Sequence, residues 1–392
     1  MKIQSASRIE SFPVYLFDAL DAAKAEQEAK GVDVINLSVG DPDRPTPKYI
    51  IDAMKQAVDD PANHHYPSFK GLPAFRQAVA HWYEQNRNVK LDPETEVLSC
   101  IGSKRGVNDL PLALVDPGDI VLVPDPCYAA YLPGIIAAGG EIYHMPLLEE
   151  NNFLPDLEAI PAEICQRAKM MLLNFPGNPT AALGPLSFFE RVVAFAKKHE
   201  IVVAHDAPYS EAVFDGERQP SFLEAEGAME VGVEFNSMSK LFNMSGWRAA
   251  FAVGNADVIG LLGKIRSNLD MGIFQPIQHA CVAALTGSME FPQQMTQVYQ
   301  RRRDLLIDGL ANLGWAPHKP PATFFIWTPV PVPEESSGDF ADRVLKEAGV
   351  LITPGRGFGQ HGEGYIRIAL TVEEEDIAQV LERLDKAGFR YN

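Results

Sequence analysis

The chain has 392 residues, of which 46% are hydrophobic and 22% are charged, and its formal net charge is −18. This composition is ordinary for a soluble enzyme, and the length allows two domains, or one large and one small domain. The negative charge disfavours nucleic-acid binding and docking on anionic membranes, although a local group of arginines can still bind an anionic ligand.

The four cysteines are scattered, and no pair has the C-x-x-C spacing of a metal or redox site. We therefore predict neither a metal nor a disulfide framework. The first residues lack the basic and then apolar pattern of a signal peptide, and no apolar run reaches the length of a membrane span. These features predict a cytoplasmic protein that binds no membrane and keeps its thiols reduced.

In chain order, helical periodicity first appears over residues 13–30, and a short apolar stretch then ends in a turn at residues 40–42. Thr46 and Pro47 have the residue types expected at the N-cap and the first position of the next helix. Residues 97–106 predict a buried strand, a glycine turn and a helix start, where backbone N–H groups can bind an anion.

Apolar runs at residues 120–126, 170–176 and 201–209 alternate with helical segments such as 185–199. This alternation predicts a largely parallel sheet with helices on both faces. In open α/β sheets the ligand lies at the carboxyl ends of the strands. We therefore expect the polar residues that directly follow these runs to form a site.

The pattern changes after residue 291. A long polar helix is followed by strand-like segments at 324–330 and 365–370, and a glycine-rich loop at 354–359 separates them. Thr371 and the glutamate three residues later match a capping box at the start of the last helix. This region predicts a second, smaller α+β domain.

Lys240 lies between two apolar segments of the stretch 232–254. A buried ammonium is destabilising unless it is paired, neutralised or chemically used, and a desolvated lysine amine can condense with an aldehyde. Ser237 and Arg248 flank it at separations that allow both to bind the phosphate of one cofactor. For this motif alone, a solvated lysine in a serine-rich loop is the alternative.

Asp206 ends a buried strand and needs a cationic partner, which the protonated ring nitrogen of a pyridine cofactor would supply. Tyr209 and Asn178 could bind the phenolic oxygen of that ring, and Tyr128 could stack on it. Arg367 in an apolar strand could bind a substrate carboxylate. A helix cap, turn residues, a half-buried tyrosine and an outward arginine are the respective alternatives.

The segments NFPGNPT, HDAPY, SMSKLFNMSGWR and YIRIAL, in this order, resemble the class I/II pyridoxal-phosphate (PLP)-dependent aminotransferases of fold type I. Within that family YLFDAL, IGSK, VLVPDPCYAAY and SNLDMGIFQPIQ resemble the LL-diaminopimelate aminotransferase branch. The resemblance covers nearly the whole chain. It implies an α/β fold with a large domain at residues 46–290, built on a mostly parallel seven-stranded sheet, and a smaller α+β domain at residues 1–45 and 291–392.

The resemblance also implies roles for the matching positions. Lys240 would form the internal aldimine and move a proton, Asp206 would pair with the pyridinium nitrogen, and Tyr209 would complete the catalytic set. For the cofactor, the resemblance implies that Asn178 and Tyr209 bind the ring oxygen and that Tyr128 stacks on the ring. The phosphate would be held by Ser103, Lys104, Ser237 and Arg248, and Tyr66 would reach the phosphate of the neighbouring subunit. For the substrate, the α-carboxylate would be bound by Gly40, Asn178 and Arg367, and the far end would be contacted by Tyr15 and Asn268.

The implied activity moves an amino group between an L-amino acid, with LL-diaminopimelate among the candidates, and a 2-oxo acid such as 2-oxoglutarate, in a homodimer that serves lysine biosynthesis. Two positions depart from the family: Ala181 stands where a glycine is usual, and Arg105 where the branch usually has an acid. A carbon–sulfur lyase and an alanine- or glutamate-type aminotransferase are alternatives on the same fold. A non-enzymatic PLP-sensing regulator is disfavoured because the fold signals begin by residue 13.

Overall fold

The computed structural model describes residues 3–13, 16–315 and 317–391. Its strands are β1 (Ile35–Asn36), β2 (Val97–Cys100), β3 (Ile120–Asp125), β4 (Glu141–Pro146), β5 (Ala168–Leu173), β6 (Val202–Asp206), β7 (Gly232–Ser237), β8 (Ala250–Gly254), β9 (Phe325–Pro329), β10 (Val350–Leu351), β11 (Thr353–Pro354) and β12 (Tyr365–Ala369). Its helices are α1 (Ser7–Glu10), α2 (Leu16–Ala29), α3 (Lys48–Val58), α4 (Pro73–Arg87), α5 (Ser103–Leu114), α6 (Leu132–Ala138), α7 (Ala162–Arg167), α8 (Leu186–His199), α9 (Ala228–Val231), α10 (Met238–Leu241), α11 (Ala256–Leu269), α12 (Gln275–Thr286), α13 (Glu290–Asn312), α14 (Ser337–Ala348) and α15 (Glu374–Lys386).

A seven-stranded sheet with the order β2-β8-β7-β6-β5-β3-β4 forms the centre of the molecule. Its strands run parallel except β8, which is antiparallel to both of its neighbours. Every residue of β3 and β7 is buried, as expected for strands covered by helices on both faces. The predicted α/β fold with a mostly parallel seven-stranded sheet is therefore confirmed.

The carboxyl ends of the parallel strands meet at one edge of this sheet. Asp206 is the last residue of β6 and pairs in register with Phe235 of the neighbouring β7. Lys240 follows β7 on the short helix α10, and Tyr128 follows β3. Residues far apart in the sequence thus come together because of the strand order.

A second, antiparallel sheet has the order β11-β12-β9, and β1 pairs with β10 beside it. Its apolar core runs from Ile35 to Phe389 and draws mainly on α13, α14, α15 and the strands of this sheet. The two apolar clusters on the central sheet are formed by residues between Ile50 and Leu285. The central sheet and the antiparallel sheet therefore have separate apolar cores.

Both predicted threonine caps are wrong. Helix α3 begins at Lys48 without a side-chain cap, and the hydroxyl of Thr46 donates to the carbonyl of Asn243 at 2.7 Å. Helix α15 likewise lacks a side-chain cap, and the hydroxyl of Thr371 donates to the carbonyl of Val39 at 2.6 Å. In each case the threonine joins two distant segments because a carbonyl from elsewhere in the fold lies within its reach.

Among the described residues, no helix combines the length and apolar character that crossing a membrane requires. The same part of the chain contains no group of three or more His, Cys, Asp or Glu side chains arranged to hold a metal ion.

Candidate active site

A cavity of about 410 Å³ opens at the carboxyl ends of the central strands. It is lined by residues from the central sheet and from the antiparallel sheet. The predicted site residues among its walls are Gly40, Ser103, Lys104, Tyr128, Asn178, Asp206, Tyr209, Ser237, Lys240, Arg248 and Arg367.

Asp206 forms the buried end of the cavity. The hydroxyl of Tyr131 donates to its Oδ2 at 2.8 Å, whereas its Oδ1 is buried without a hydrogen-bond partner among the described residues. Burial raises the pKa of this carboxyl to about 6, against the lowering effect of the Tyr131 hydrogen bond. A buried acceptor without a partner that faces a cavity fits a cationic N–H donor on a ligand.

A hydrogen-bond network on the other face of β6 fixes this strand. His205, the neighbour of Asp206, places its Nδ1 2.8 Å from Oε2 of Glu234. Glu234 also accepts hydrogen bonds from the hydroxyls of Tyr83 and Ser221. Because all four groups are buried, this network restrains β6 against β7.

Lys240 points into the same cavity from α10. Its Nζ donates to the carbonyl of Gly40 at 2.8 Å. Burial lowers the pKa of its ammonium to about 8, although the Asp41 carboxylate opposes this effect. About a tenth of the Lys240 side chains are therefore free amines at pH 7, the form that a nucleophile or a general base requires.

The start of α5 and the guanidinium of Arg248 lie together in the wall of the cavity. Gly102 is the N-cap of α5 and has φ +80°, and Ser103 and Lys104 begin the helix. The positive φ favours glycine at residue 102, and an added Cβ would displace the guanidinium of Arg248 from its present position. Ser237 lines the same cavity as the helix N–H groups and the guanidinium. Together these donors suit a phosphate.

Arg367 is fully buried on the opposite wall. Its Nη1 donates to Oδ1 of Asn178 at 2.8 Å, and its Nη2 donates to the carbonyl of Ser38. Its guanidinium lies 4.3 Å from the ring centre of Phe325 and 4.7 Å from that of Phe358. Burial lowers its pKa to about 10, which leaves it cationic at neutral pH. The predicted inward orientation of this arginine is present, and the group suits a carboxylate.

Two tyrosines complete the walls. Tyr128 packs edge-on against Tyr131, with ring centres 5.6 Å apart, and both line the cavity. Tyr209 packs edge-on against Phe324 and Phe325. Burial raises the pKa of Tyr209, so its hydroxyl stays protonated and able to donate.

Three predicted site residues are not among the described residues that line the cavity. Tyr66 is 84% exposed on a surface loop. Asn268 is exposed near the end of α11, where its amide donates to the carbonyl of Lys264 at 2.8 Å. Tyr15 lies outside the described residues. Within one chain, the structure therefore does not bring Tyr66 and Asn268 to the cavity.

The two departures from the family have local consequences. Arg105 pairs with Asp109 at 2.7 Å on α5 and does not line the cavity. Ala181 is buried with φ +57°, a left-handed conformation that glycine adopts more easily. Asn178 nevertheless reaches the cavity, so the loop keeps its side chain in place.

Sequence reasoning missed several walls of the cavity. They are Phe17, Asp21, Val39, Tyr131, Asn174, Pro208, Ser239, Ser245 and Phe325. Tyr131 could have been found, because it follows Tyr128 by one turn in the segment after β3. Phe17 and Asp21 also have a signal, since their spacing of four residues places both on one face of α2.

The described residues fit PLP. The acceptor of Asp206 is free for a pyridinium N–H, Lys240 offers an amine, and the start of α5 offers a phosphate site within the same cavity. Fold and site together define an enzyme that uses this cofactor for chemistry at an amine-bearing carbon.

The chain belongs to the aminotransferase class I and II family, whose model matches residues 32–384. It is a PLP-dependent transaminase. An LL-diaminopimelate aminotransferase of Moorella thermoacetica is 52% identical over 382 residues, which are 97% of this chain and 98% of that protein. A protein of the same name from Syntrophobacter fumaroxidans is 51% identical over 389 residues, covering 99% and 100% of the two chains.

Solved structures agree with this assignment. Substrate-bound BacF from Bacillus subtilis superposes with a TM-score of 0.96 at 38% identity, over 100% of this chain and 99% of the other. A probable N-succinyldiaminopimelate aminotransferase from Thermus thermophilus has a TM-score of 0.90 at 33% identity, over 95% and 100%.

Proposed function

We propose that this transaminase takes an amino group from LL-diaminopimelate and transfers it to 2-oxoglutarate, as a cytoplasmic enzyme of lysine biosynthesis. The observation that carries the proposal is the similarity to two LL-diaminopimelate aminotransferases. About half of the aligned positions are identical, over nearly the full length of both chains. The cavity supports it with a buried amine and with separate sites for a phosphate and for a carboxylate.

On the cofactor side, we assign the ring nitrogen to Asp206 and the phosphate to Arg248, Ser237 and the first N–H groups of α5. When bound, PLP supplies an electron sink for the charge that develops at the substrate α-carbon. Asp206 would be ionised beside a cationic ring nitrogen, because each charge would offset the cost of burying the other. We assign Tyr128 to the ring face, and Asn178 and Tyr209 to the ring oxygen.

On the substrate side, we assign the α-carboxylate to Arg367, with Asn178 and the backbone of Gly40 beside it. Phe325 and Phe358 pack against the guanidinium and restrain its orientation, so that its donors can approach a carboxylate in one plane. In the proposed pose the α-hydrogen faces the amine of Lys240, which lines the same cavity. We propose that Nζ of Lys240 takes up that proton and returns it, a role that suits an amine whose pKa is about 8.

We also propose a homodimer with shared sites. Leu269, Met271 and Phe274 are 51%, 53% and 40% exposed, and Tyr66 lies near them on the loop whose His65 carbonyl accepts a hydrogen bond from Gln275. An exposed apolar patch of this kind suits a subunit interface. Tyr66 would then reach the phosphate in the partner's cavity, and Asn268 the far end of the substrate there.

We also propose limits for two domains within the chain. A large domain of residues 46–290 and a small domain of residues 1–45 and 291–392 are supported by the separate apolar cores of the two sheets. The cavity would then lie between the domains, where a movement of the small domain could exclude water from the substrate.

A panel of donors tests the function. LL-diaminopimelate, L-glutamate, L-aspartate and L-alanine are each assayed with 2-oxoglutarate or pyruvate as the acceptor. We expect the highest kcat/KM for LL-diaminopimelate with 2-oxoglutarate, and no turnover for Lys240→Ala. Failure to use LL-diaminopimelate would overturn the assignment, and release of pyruvate from cystathionine without an acceptor would identify a carbon–sulfur lyase.

A further inference from the structure

Asp21 is a charged residue of the cavity wall that the assigned roles leave unused. The lining residues include four cationic side chains, Lys104, Lys240, Arg248 and Arg367, but only two acids, Asp206 and Asp21. Asp206 lies at the buried end, where it faces the ring. Among the described lining residues, Asp21 is therefore the carboxylate left for a cationic group of the substrate.

Helix α2 relates Asp21 to Arg367, because Phe17 and Asp21 on this helix line the same cavity as Arg367. Phe17, one helix turn before Asp21 on α2, places its ring 5.8 Å from the guanidinium of Arg367. Asp21 follows about 6 Å farther along the helix axis and is exposed at the mouth of the cavity. A substrate whose α-carboxylate binds Arg367 and whose chain extends along α2 would bring its far end to Asp21.

The spacing suits a diamino dicarboxylic acid. In LL-diaminopimelate, four carbon–carbon bonds separate the two amine-bearing carbons, a span of about 5 Å when extended. That span is similar to one turn of α2. A substrate of this class presents an ammonium at the mouth of the cavity, where a carboxylate can accept its hydrogen bonds.

We propose that Asp21 is a specificity-determining residue that binds the ammonium at the far end of the substrate. The inference rests on the proposed function and deepens it. Asp21 also repels the distal carboxylate of a donor that lacks this ammonium, so the same side chain both attracts the diamino acid and discriminates against its monoamino analogue.

The experiment compares two donors that differ only at the far end, LL-diaminopimelate and L-2-aminopimelate, in the holoenzyme with 2-oxoglutarate. For Asp21→Asn we expect kcat/KM with LL-diaminopimelate to fall about fivefold, chiefly through KM, as for an exposed ion pair. The value for L-2-aminopimelate should stay constant or rise. Asp21→Glu keeps the charge and should retain most of the preference for the diamino acid.

Asp18→Asn is the matched control. It removes the same charge from the same helix, but Asp18 is exposed and does not line the cavity, so both donors should be unaffected. Raising the ionic strength should weaken the preference of the wild type and leave that of Asp21→Asn unchanged, because salt screens an exposed pair.

Two results overturn the inference: an unchanged kcat/KM for LL-diaminopimelate in Asp21→Asn, or an equal loss for both donors. Failure of the wild type to transaminate LL-diaminopimelate instead overturns the proposed function. In that case both compounds are tested as competitive inhibitors of the donor that is used. A rise in Ki for the diamino acid alone in Asp21→Asn would still support Asp21 as the ammonium site, and equal Ki changes would reject it.

Discussion

Asp206 and Lys240 are buried ionisable side chains whose environments oppose their charged forms. Burial raises the pKa of Asp206 to about 6 and lowers that of Lys240 to about 8. Each group is therefore unfavourable in the protein without its cofactor and favourable once the cofactor provides a partner. Such residues serve chemistry at the expense of stability, and two predictions follow from this opposition.

Asp206→Asn should stabilise the apoenzyme while it lowers the activity of the holoenzyme. The folded pKa is raised from 3.8 to about 6, so the folded state binds more protons than the unfolded state between these values. The carboxyl therefore lowers stability as the pH rises through that window. Asparagine should raise the free energy of unfolding of the apoenzyme by about 1–3 kcal/mol at pH 8 and by much less at pH 4.

Urea unfolding of both apoenzymes at the two pH values measures this difference. Turnover by the loaded Asp206→Asn variant should fall at least about a hundredfold, because a neutral amide does not hold the ring nitrogen protonated. A stability gain that is equal at pH 4 and pH 8 would contradict the titration of Asp206, and full activity would contradict its role at the ring.

The lowered pKa of Lys240 leads us to expect that the rate of cofactor rebinding depends on pH. Only the free amine can attack an aldehyde, and burial lowers the pKa of this amine to about 8. The rate constant for PLP recombination with the apoenzyme should rise about tenfold per pH unit below 8 and become level above it. Stopped-flow absorbance measures the rate. A rate that keeps rising beyond pH 9 would indicate a solvated lysine instead.

At the scale of secondary-structure elements, the turn from β2 into α5 forms the proposed phosphate site, and Gly102 lies in this turn beside Arg248. Gly102→Ala should weaken PLP binding to the apoenzyme at least about tenfold, because the added methyl group meets the guanidinium of Arg248. Fluorescence titration of the apoenzyme with PLP measures the dissociation constant.

Gly118→Ala is the control for backbone strain. Gly118 has φ +95° but no atom within 4 Å of an added Cβ, so Gly118→Ala places an alanine at a positive φ without any contact with Arg248. Only Gly102→Ala should lose cofactor affinity. Equal affinities in the two variants would show that the space beside Arg248 is not used by the phosphate.

The elements that the sequence predicts well are those with a strong local pattern. The apolar runs that became β3, β5 and β6 are buried strands that can be recognised without partners, and Asp206 and Asn178 follow from their positions after such strands. The contacts that Thr46 and Thr371 make in place of the expected helix caps could not be predicted, because their hydroxyls donate to carbonyls of distant segments. The spacing of Asp21 from Phe17 places both on one face of α2, but only the tertiary fold brings that face to the cavity.

At the scale of the whole molecule, a shared active site predicts complementation between inactive subunits. In a dimer of Lys240→Ala with Tyr66→Ala, the site that keeps Lys240 receives the intact Tyr66 of the other subunit. Random reassociation of equal amounts should therefore restore about a quarter of the wild-type sites, since half of the dimers are mixed and each mixed dimer has one intact site. Activity after mixing and reassociation measures the recovery.

The pair Lys240→Ala and Asp206→Ala is the matched control. Both residues line the cavity of the same chain, so every site in a mixed dimer lacks one of them and no activity should return. Recovery in the first mixture but not in the second requires that Tyr66 act across the interface, as its 84% exposure within one chain suggests. If neither mixture recovers although the subunits exchange, Tyr66 does not serve the partner's site, and the apolar surface beside it must be explained without a shared site.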